Sequence, residues 1–481
     1  LYIIANRLPV KVSSDGKGGI TVTRSEGGLA TGLSSLDIRT EIHWIGWPGI
    51  CTGNEEERRL VRQEMEKMNL HPVFLSEQQY LKYYEGYSNS TIWPLCHYFY
   101  AYTHYDRSYW EYYREVNSLF FDEVSAMAGP CDRVWVQDYH LMLLPGMLRR
   151  KFPDMQIGYF HHIPFPSYEL FRILPERDEI LKGLMGADFI GFHTHDYVRH
   201  FISATERVLG ADFRLEETRI GNRTVRVDAL PMGINFDLYH RAATDDGIQL
   251  RVADIRNRYK GCKLIISVDR LDYSKGILHR LRAYADFLEH HEEYRGKVVL
   301  IMVLVPSRDR VDSYAELKTA IDKETGAING RFSTMDWTPV CYFYHGFGFE
   351  ELAAMYNAAD IALVTPLRDG MNLVAKEFVA ARNAADGGVL ILSEMAGAAV
   401  ELGEAIVINP NDKKQVENAI FEALTMTKEE QARRMERMQA IVSRQTVNRW
   451  AADFMDEWRQ TVNKNAAMRQ KIVNRESADR I

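Results

Sequence analysis

The residues best suited to chemistry lie in the stretch Thr365 to Glu377, which follows an apolar run and opens a helix at about Met371. Unpaired backbone N–H groups and the positive dipole end at a helix start favour a bound phosphate. Asp369 and Glu377 stand eight residues apart, a spacing that suits sugar hydroxyls on the two sides of a pyrophosphate. The alternative is an acidic residue at a helix start followed by an exposed helical glutamate, and the glycine and asparagine of the loop argue against it.

A second stretch of the same kind is Ser267 to Gly276, again between a predicted strand and a predicted helix. Arg270 can contact a diphosphate as a planar fork, and Lys275 can contact it as a point charge. The P-loop pattern GxxxxGK[ST] is absent. Solvated surface charges are the alternative interpretation of both cations.

The first half of the chain carries further candidates. Arg7 ends the first apolar run, and the segment Glu26 to Gly32 is a glycine-rich turn into a predicted helix. The turn is not GxGxxG, which disfavours a nicotinamide site. The stretch Tyr83 to Pro94 is dense in aromatic residues, which could offer flat faces to sugar rings or pack against one another.

Polar residues also follow two predicted strands, in Gln137 to His140 and in His161 to Pro166. Aspartate and histidine at strand ends can hold hydroxyls near a reacting centre, although a histidine in that position is often structural. His193 and His195 could be misread as metal ligands. No third ligand has a suitable spacing, so we expect no metal.

Parallel strands are the elements that must position these stretches. Short apolar runs alternate with segments of helical periodicity in both halves of the chain, which predicts α/β domains with parallel sheets. The predicted domains are residues 1–235 and 236–445, followed by a C-terminal helix in 446–481. One face of that helix carries the apolar residues Val447, Ala451, Phe454 and Trp458.

The predicted strands fall into two sets. Those of the first half are Leu1 to Asn6, Val134 to Gln137, Ile157 to Phe160, Phe189 to Phe192 and Val225 to Ala229. Those of the second half are Leu264 to Val268, Val298 to Val303, Val340 to Tyr344, Ile361 to Val364, Val389 to Leu392 and Ala405 to Ile408.

Composition narrows the class of protein. The 481 residues include 59 Lys and Arg against 66 Asp and Glu, and the formal net charge of −7 disfavours nucleic acid or an anionic membrane as a partner. Five cysteines without a CxxC pair disfavour a disulfide framework. No run approaches the ~20 apolar residues of a membrane span, and the first residues lack a signal peptide's charged start. We expect a cytoplasmic protein with a few residues missing before Leu1.

Seven segments, taken in order, closely resemble motifs of the trehalose-6-phosphate synthases, retaining glycosyltransferases of family 20. These segments are Ala5 to Pro9, Glu26 to Gly32, Tyr84 to Pro94, Gln137 to His140, His162 to Pro166, Asp269 to Gly276 and Arg368 to Glu377. The resemblance runs from residue 1 to about residue 458. It implies a GT-B fold, in which two Rossmann-like domains face each other across a cleft and the C-terminal helix crosses back to the first domain.

The same resemblance implies transfer of glucose from a nucleotide sugar, usually UDP-glucose, to glucose 6-phosphate, giving α,α-trehalose 6-phosphate with retention. The implied donor-binding residues are Gly28, Arg270, Lys275, Asp369, Gly370, Met371, Asn372, Leu373 and Glu377. The implied acceptor-binding residues are Arg7, Tyr84, Trp93, Asp138 and Arg308. The implied catalytic residues are Asp138, His162, Arg270, Lys275 and Asp369.

The implied mechanism is front-face transfer, in which the departing phosphate takes the acceptor proton. Retention often involves a carboxylate nucleophile, but none is expected here, and no metal or other cofactor is expected either. The alternatives are a glucosylglycerol-phosphate synthase, which would share the donor motifs, and a non-catalytic regulatory homologue. Tyr84 with Trp93 favours a sugar phosphate as acceptor, and the intact donor residues argue against a regulatory protein. The nucleotide base and the oligomeric state stay open, a homo-oligomer included.

Overall fold

A computed structural model describes residues 1–14, 20–24, 41–307 and 312–478. The chain divides into two compact units, which we call unit 1 (Leu1–Pro231 and Trp450–Ile481) and unit 2 (Met232–Arg449). The observed divisions therefore follow Pro231 and Arg449, where the sequence predicted divisions after residues 235 and 445.

Unit 1 contains the first eleven described strands. They are β1 (Tyr2–Arg7), β2 (Val10–Ser14), β3 (Ile20–Arg24), β4 (His43–Trp47), β5 (Leu70–Pro72), β6 (Arg133–Gln137), β7 (Gln156–Phe160), β8 (Phe189–Phe192), β9 (Phe213–Arg214), β10 (Glu217–Ile220) and β11 (Arg223–Ala229). Nine of them form one sheet in the order β5-β4-β1-β6-β7-β8-β11-β10-β9, and β2 pairs with β3 in a separate hairpin. The sheet is parallel from β5 to β11, whereas β10 and β9 are antiparallel.

Helices connect these strands. They are α1 (Glu55–Glu66), α2 (Glu77–Gln79), a π-helix (Tyr80–Ile92), α3 (Trp93–Cys96), α4 (Arg107–Met127), α5 (Leu144–Lys151), α6 (Tyr168–Phe171), α7 (Arg177–Leu184) and α8 (His195–Leu209). The π-helix is notable because π-helical turns are rare and frequently mark functional sites.

Unit 2 holds a six-stranded parallel sheet in the order β14-β13-β12-β15-β16-β17. Its strands are β12 (Lys263–Arg270), β13 (Val298–Val305), β14 (Val340–Phe343), β15 (Ile361–Val364), β16 (Val389–Ser393) and β17 (Ile406–Ile408). Its helices are α9 (Phe236–Ala242), α10 (Asp246–Arg258), α11 (Ile277–His290), α12 (Asp312–Phe332), α13 (Phe349–Ala358), α14 (Leu373–Ala381), α15 (Lys413–Thr425) and α16 (Lys428–Val442), and α17 (Val447–Ala478) continues into unit 1.

The predicted α/β class and every predicted strand are confirmed, with ends that differ by at most two residues. Strand β13 shows why the pattern was readable, because its apolar run VVLIMVLV is buried between two helical layers. Six strands were not predicted: β2, β3, β4, β5, β9 and β10. Strand β5 has only three residues and ends in proline, so it carries almost no periodic signal.

Both sheets reverse their strand order at one point, between β1 and β6 in unit 1 and between β12 and β15 in unit 2. In open α/β sheets, ligands bind beside the carboxyl ends of the strands at such a switch point. Any site of this kind is therefore expected after Arg7 and Gln137 in unit 1, and after Arg270 and Val364 in unit 2.

The predicted apolar face of the last helix is buried, since Val447, Ala451, Phe454 and Trp458 are at most 2% exposed. Within unit 1, Phe454 stacks on Trp135 of β6 with ring centroids 4.3 Å apart. A Cβ atom on Gly158 of β7 would lie 2.9 Å from the Phe454 ring. Glycine at that position therefore lets α17 approach the sheet. No helix in the described part of the chain combines the length and apolarity needed to cross a bilayer.

Candidate functional site

Two loops meet at the switch point of unit 2, and both were singled out from the sequence. The loop after β12 forms a short 3₁₀ turn (Tyr273–Lys275) before α11, and the loop after β15 leads to α14. The backbone N–H of Leu367 donates to the carbonyl of Ser274 over 2.7 Å. Gly276, at φ 66°, lies where a Cβ atom would be 2.5 Å from the carbonyl oxygen of Thr365. The two loops are thus fastened to each other.

The best-defined polar contact of this edge is an ion pair between the loops. Lys275 Nζ donates to Asp369 Oδ2 over 2.6 Å, and the two side chains are only 9% and 12% exposed. The Asp369 carboxylate also accepts from Asn372 Nδ2 at 2.8 Å and from the backbone N–H of Gly370 at 2.9 Å. A carboxylate held by an ammonium group and two amide donors is strongly stabilised as an anion.

Helix α14 begins at Leu373, two residues later than the predicted start at Met371. The cause is Asn372, which adopts φ 66° in the left-handed region and caps the helix by accepting from the backbone N–H of Ala375. The loop is braced from outside, because the N–H of Ala398 donates to the carbonyl of Met371 over 2.8 Å. The predicted donor residues Gly370 to Leu373 therefore form a fixed turn at the helix start.

Arg280 on α11 was not identified from the sequence, although it joins the two loops from below. Its guanidinium is fully buried and donates to Asp269 Oδ2 at 2.5 Å and to Thr365 Oγ1 at 2.9 Å. It also donates to the carbonyl of Lys275 at 3.1 Å. A signal was present, because Arg280 falls on the helix face that buries Ile277. Burial raises the pKa of Asp269, and the guanidinium opposes that shift.

The remaining donor candidates of unit 2 lie at the same edge. Arg270 is the exposed last residue of β12. Glu377 lies in the second turn of α14, where its carboxylate accepts from Tyr356 Oη at 3.1 Å. Burial raises the pKa of Glu377, and hydrogen bonds from Tyr356 and Tyr239 oppose the shift. The roles of Arg270 and Glu377 toward a ligand stay predictions.

In unit 1, Asp138 and His162 follow the neighbouring strands β6 and β7. Asp138 adopts φ 69° while its N–H donates to the carbonyl of Phe160 over 2.8 Å. Its Oδ1 accepts from the backbone N–H of His162 at 3.2 Å. The left-handed backbone of Asp138 is thus held by direct bonds to the next strand end, as is common where backbone strain serves a site.

The His162 imidazole is neutral. Its Nε2 lies 2.9 Å from Gln137 Oε1. A proton on Nε2 makes this contact a hydrogen bond and leaves Nδ1 as an acceptor. Burial lowers the pKa of His162 to about 3, and burial likewise lowers that of the adjacent His161 to about 3. A neutral imidazole can exchange hydrogen bonds with sugar hydroxyls without carrying charge into the site.

An aromatic wall borders the same edge. Tyr84, in the π-helix, stacks on His140 with centroids 5.6 Å apart and planes 12° apart, and it stacks on Tyr80 at 5.3 Å. Arg7 ends β1 and places its guanidinium 5.4 Å from the centre of the Trp47 ring. His140, which belongs to the predicted stretch Gln137 to His140, completes this wall together with Trp47 and Tyr80. Trp47 and Tyr80 were not predicted, because β4 and the π-helix carried no clear periodicity.

Trp93, one of the predicted acceptor-binding residues, lies deeper in the fold than is usual for a residue that contacts a ligand directly. It is 4% exposed, and its ring stacks on His97 at 4.0 Å. Gly28 and Arg308 lie outside the described residues, so their predicted roles stay predictions.

One group of residues in the described ranges offers three metal-ligand side chains close together: His195, Glu216 and Asp228, with ligand atoms within 4.8 Å. Sequence spacing did not identify Glu216 and Asp228 as neighbours of His195, because the antiparallel strands β9 to β11 bring them back to α8. Arg226 already pairs with Asp228 at 2.9 Å. The metal-free expectation stays a prediction.

Among curated relatives, the chain is 44% identical to the bifunctional trehalose-6-phosphate synthase/phosphatase of Thermoproteus tenax over 95% of this chain, and it spans 63% of that protein's length. It is 41% identical to the alpha,alpha-trehalose-phosphate synthase [UDP-forming] 2 of Aspergillus niger, covering 95% of this chain and 96% of the relative.

The chain is also similar to solved structures. An E. coli structure bound with UDP-2-fluoro glucose matches with a TM-score of 0.87 and 32% identity, covering 95% of this chain and 98% of that one. A Burkholderia xenovorans alpha,alpha-trehalose-phosphate synthase (UDP-forming) in complex with glucose-6-phosphate matches with a TM-score of 0.85 and 33% identity, covering 95% and 99%. The predicted GT-B class is confirmed by these matches. The sequence model described as glycosyltransferase family 20 matches residues 1–460, and the chain belongs to that family.

Proposed function

We propose that this protein transfers glucose from UDP-glucose to glucose 6-phosphate and releases α,α-trehalose 6-phosphate. The observation that carries the proposal is the Lys275–Asp369 pair at the switch point of unit 2, beside the exposed Arg270. A basic pair and an oriented carboxylate at one strand edge suit a sugar diphosphate. The names of the relatives and the nucleotide-sugar and glucose-6-phosphate complexes support the same reaction.

On the donor side, the proposed role of each residue follows from the charge and hydrogen-bonding groups of its side chain. Arg270 and Lys275 neutralise the diphosphate, and the backbone N–H groups at the start of α14 contact it or the glucose hydroxyls. Asp369, oriented by its ion pair with Lys275, accepts from the glucose hydroxyls. Glu377, four residues past the start of α14, accepts from the ribose hydroxyls.

On the acceptor side, Arg7 and Tyr84 hold the phosphate of glucose 6-phosphate at the strand edge of unit 1. Asp138 and neutral His162 contact sugar hydroxyls near the reacting carbon. Trp93 supports the wall from beneath, where its ring packs on His97. Arg308 is proposed as a further contact of the acceptor phosphate.

The chemical step places charge on the departing phosphate. Lys275 and Arg270 stabilise that charge, as preorganised donors do at an oxyanion. Asp369 is a poor nucleophile because an ammonium group and two amides already hold its oxygens. We therefore propose front-face transfer, in which the acceptor hydroxyl gives its proton to the leaving phosphate oxygen and attacks the same face of the sugar.

The proposed setting is the cytoplasm, where nucleotide sugars are available and where thiols stay reduced, in keeping with five cysteines that form no CxxC pair. No nucleic acid or membrane is proposed as a partner, given the net charge of −7.

The test is a substrate panel. UDP-, GDP- and ADP-glucose are each incubated with glucose 6-phosphate or glycerol 3-phosphate, and products are identified by mass spectrometry. Rapid turnover of UDP-glucose with glucose 6-phosphate, and little with glycerol 3-phosphate, is expected. Preference for glycerol 3-phosphate would assign the protein to the sister activity, and binding without turnover of any pair would make it a regulatory homologue.

A further inference from the structure

A basic cavity lies in unit 1 at the edge of the sheet opposite the acceptor residues. Its volume is about 560 Å³, within the ~300–1,000 Å³ typical of small-molecule sites. Arg223 is the first residue of β11, and Asp188 directly precedes β8. Asp138 and His162 follow the carboxyl ends of strands in the same sheet, so a strand's length separates them from this cavity.

Two of the cations that line the cavity are largely buried, and they differ in their partners. Arg149 is 12% exposed and pairs with Asp188 over 2.8 Å. Arg223 donates only to backbone carbonyls, those of Ala187 (2.8 Å) and Met185, and no carboxylate among the described residues pairs with it. Burial lowers the pKa of Arg223 to about 10, the neighbouring Arg149 and Arg469 lower it further, and the Asp188 carboxylate opposes the shift. Burying a cation without a directly paired carboxylate is costly, and the one nearby carboxylate, Asp188, already pairs with Arg149, so an anion in the cavity would be stabilised.

Three exposed cations complete the lining: Arg150, Lys182 and Arg219. Lys182 pairs with Asp178 over 2.6 Å. The five cations of the cavity therefore have two carboxylate partners, Asp188 and Asp178, which leaves an excess of three positive charges. None of the described residues that line the cavity is acidic.

Helix ends are the competing explanation for these cations. The helices α5, α7 and α8 all end at this edge, and each C-terminal end carries the equivalent of roughly half a negative charge. Together the three ends supply about one and a half negative charges, which is half of the cation excess. Neutralising the helix dipoles therefore accounts for only part of the positive charge.

We propose that this cavity binds a small phosphorylated molecule. A phosphate monoester carries about −1.5 to −2 charges near pH 7. This matches the roughly one and a half positive charges of the cavity that the helix ends leave uncompensated. Arg150, Arg219 and Arg223 would hold the phosphate group. The apolar lining residues Met185, Leu209 and Ile220 would contact the carbon skeleton. The concave shape selects a small molecule over a membrane surface or a nucleic acid, both of which need an open basic face.

Calorimetric titration with inorganic phosphate tests the proposal in solution. The cavity variant is R150E/R219E, whose two positions are exposed and outside the proposed catalytic edge. The matched control is R59E, an exposed arginine on α1. Since an acceptor-edge site also takes phosphate, R7A is titrated in parallel.

We expect phosphate affinity at one site to fall by at least about tenfold in R150E/R219E, because two charge-assisted contacts are lost. That site should persist in R59E and R7A, and kcat and both KM values of R150E/R219E should stay within about twofold of wild type. Unchanged phosphate affinity in R150E/R219E would overturn the proposal.

Crystals of the wild-type protein soaked in tungstate give a second measurement that needs no variant. An anomalous peak within hydrogen-bond distance of Arg219 or Arg223 is expected. Peaks confined to the proposed catalytic edges, with none in the cavity, would also overturn the proposal. Neither measurement depends on which substrates the enzyme turns over.

Discussion

Lys275 and Asp369 form a buried ion pair of 2.6 Å between the loops that follow β12 and β15. These strands are neighbours at the point where the sheet of unit 2 reverses its order. The pair therefore joins the two loops at the position where α/β sheets bind their ligands. Lys275 has three donor hydrogens, so it can keep this bond and still contact a phosphate.

Replacing Lys275 is expected to remove most of the activity. Without the ammonium group, the charge on the departing phosphate is less stabilised, and K275A should lower kcat by ~10²-fold or more, as for other lost oxyanion donors. R270A should act in the same direction. Steady-state kinetics with UDP-glucose and glucose 6-phosphate measure this, with K297A, at an exposed lysine of unit 2, as the control. Near-wild-type kcat in folded K275A would remove Lys275 from the catalytic residues.

Arg280 is expected to act as a positioning residue. R280M leaves the buried Asp269 without its charged partner and frees the carbonyl of Lys275, so the free energy of unfolding should fall by about 3–5 kcal/mol. The double variant R280M/D269N should recover part of that loss. Urea unfolding measures both, and R282M on the same helix is the control because Arg282 is half exposed. Equal stability of R280M and R282M would contradict this role.

Glu377 is expected to act on donor binding alone. E377Q loses the charge of a carboxylate that is proposed to accept ribose hydroxyls, so KM for UDP-glucose should rise by about 10- to 100-fold. KM for glucose 6-phosphate should change little. The control is E422Q, at an exposed glutamate of the same unit. An E377Q variant with raised acceptor KM and unchanged donor KM would place the residue elsewhere.

His162 is expected to make stability depend on pH below neutrality. Its pKa is about 3 in the folded protein against 6.5 ordinarily, so the unfolded chain binds more protons between these values. The contribution is complete above pH 6.5 and is lost progressively as pH falls toward 3. H162Q should reduce the slope of unfolding free energy between pH 4.5 and 6 by about one proton. The exposed-site variant H345Q should keep the slope, and an unchanged slope in H162Q would contradict the lowered pKa of His162.

Chelation is expected to have no effect. Basic side chains at the donor edge neutralise the diphosphate, so kcat and both KM values should survive exhaustive EDTA treatment. Activity that is lost with EDTA and restored by one divalent ion would contradict the metal-free mechanism.

The strands and the donor loops could be predicted because their signals are local. Buried parallel strands are continuous apolar runs, and the Lys275 and Asp369 loops each follow one of them. Features that depend on distant contacts could not be predicted in this way. Asn372 delays the helix start through its own left-handed backbone. Arg280 can contact both loops only when α11 packs beneath them.

The same limit applies in unit 1. Asp138 and His162 were identifiable as strand-end polar residues, but the hydrogen bond between them depends on β6 and β7 being neighbours. The π-helix that carries Tyr84 lacks the helical or alternating period that sequence patterns rest on. Its stacking on His140 joins residues more than fifty positions apart.

The anomeric configuration of the product tests glucosyl transfer most directly. The protein is incubated with UDP-glucose and glucose 6-phosphate, UDP release is quantified, and the purified product is examined by proton NMR. One product molecule per UDP is expected, with two α-configured anomeric protons and the phosphate retained on carbon 6. A β linkage, or release of free glucose with no disaccharide phosphate, would contradict retaining transfer to glucose 6-phosphate.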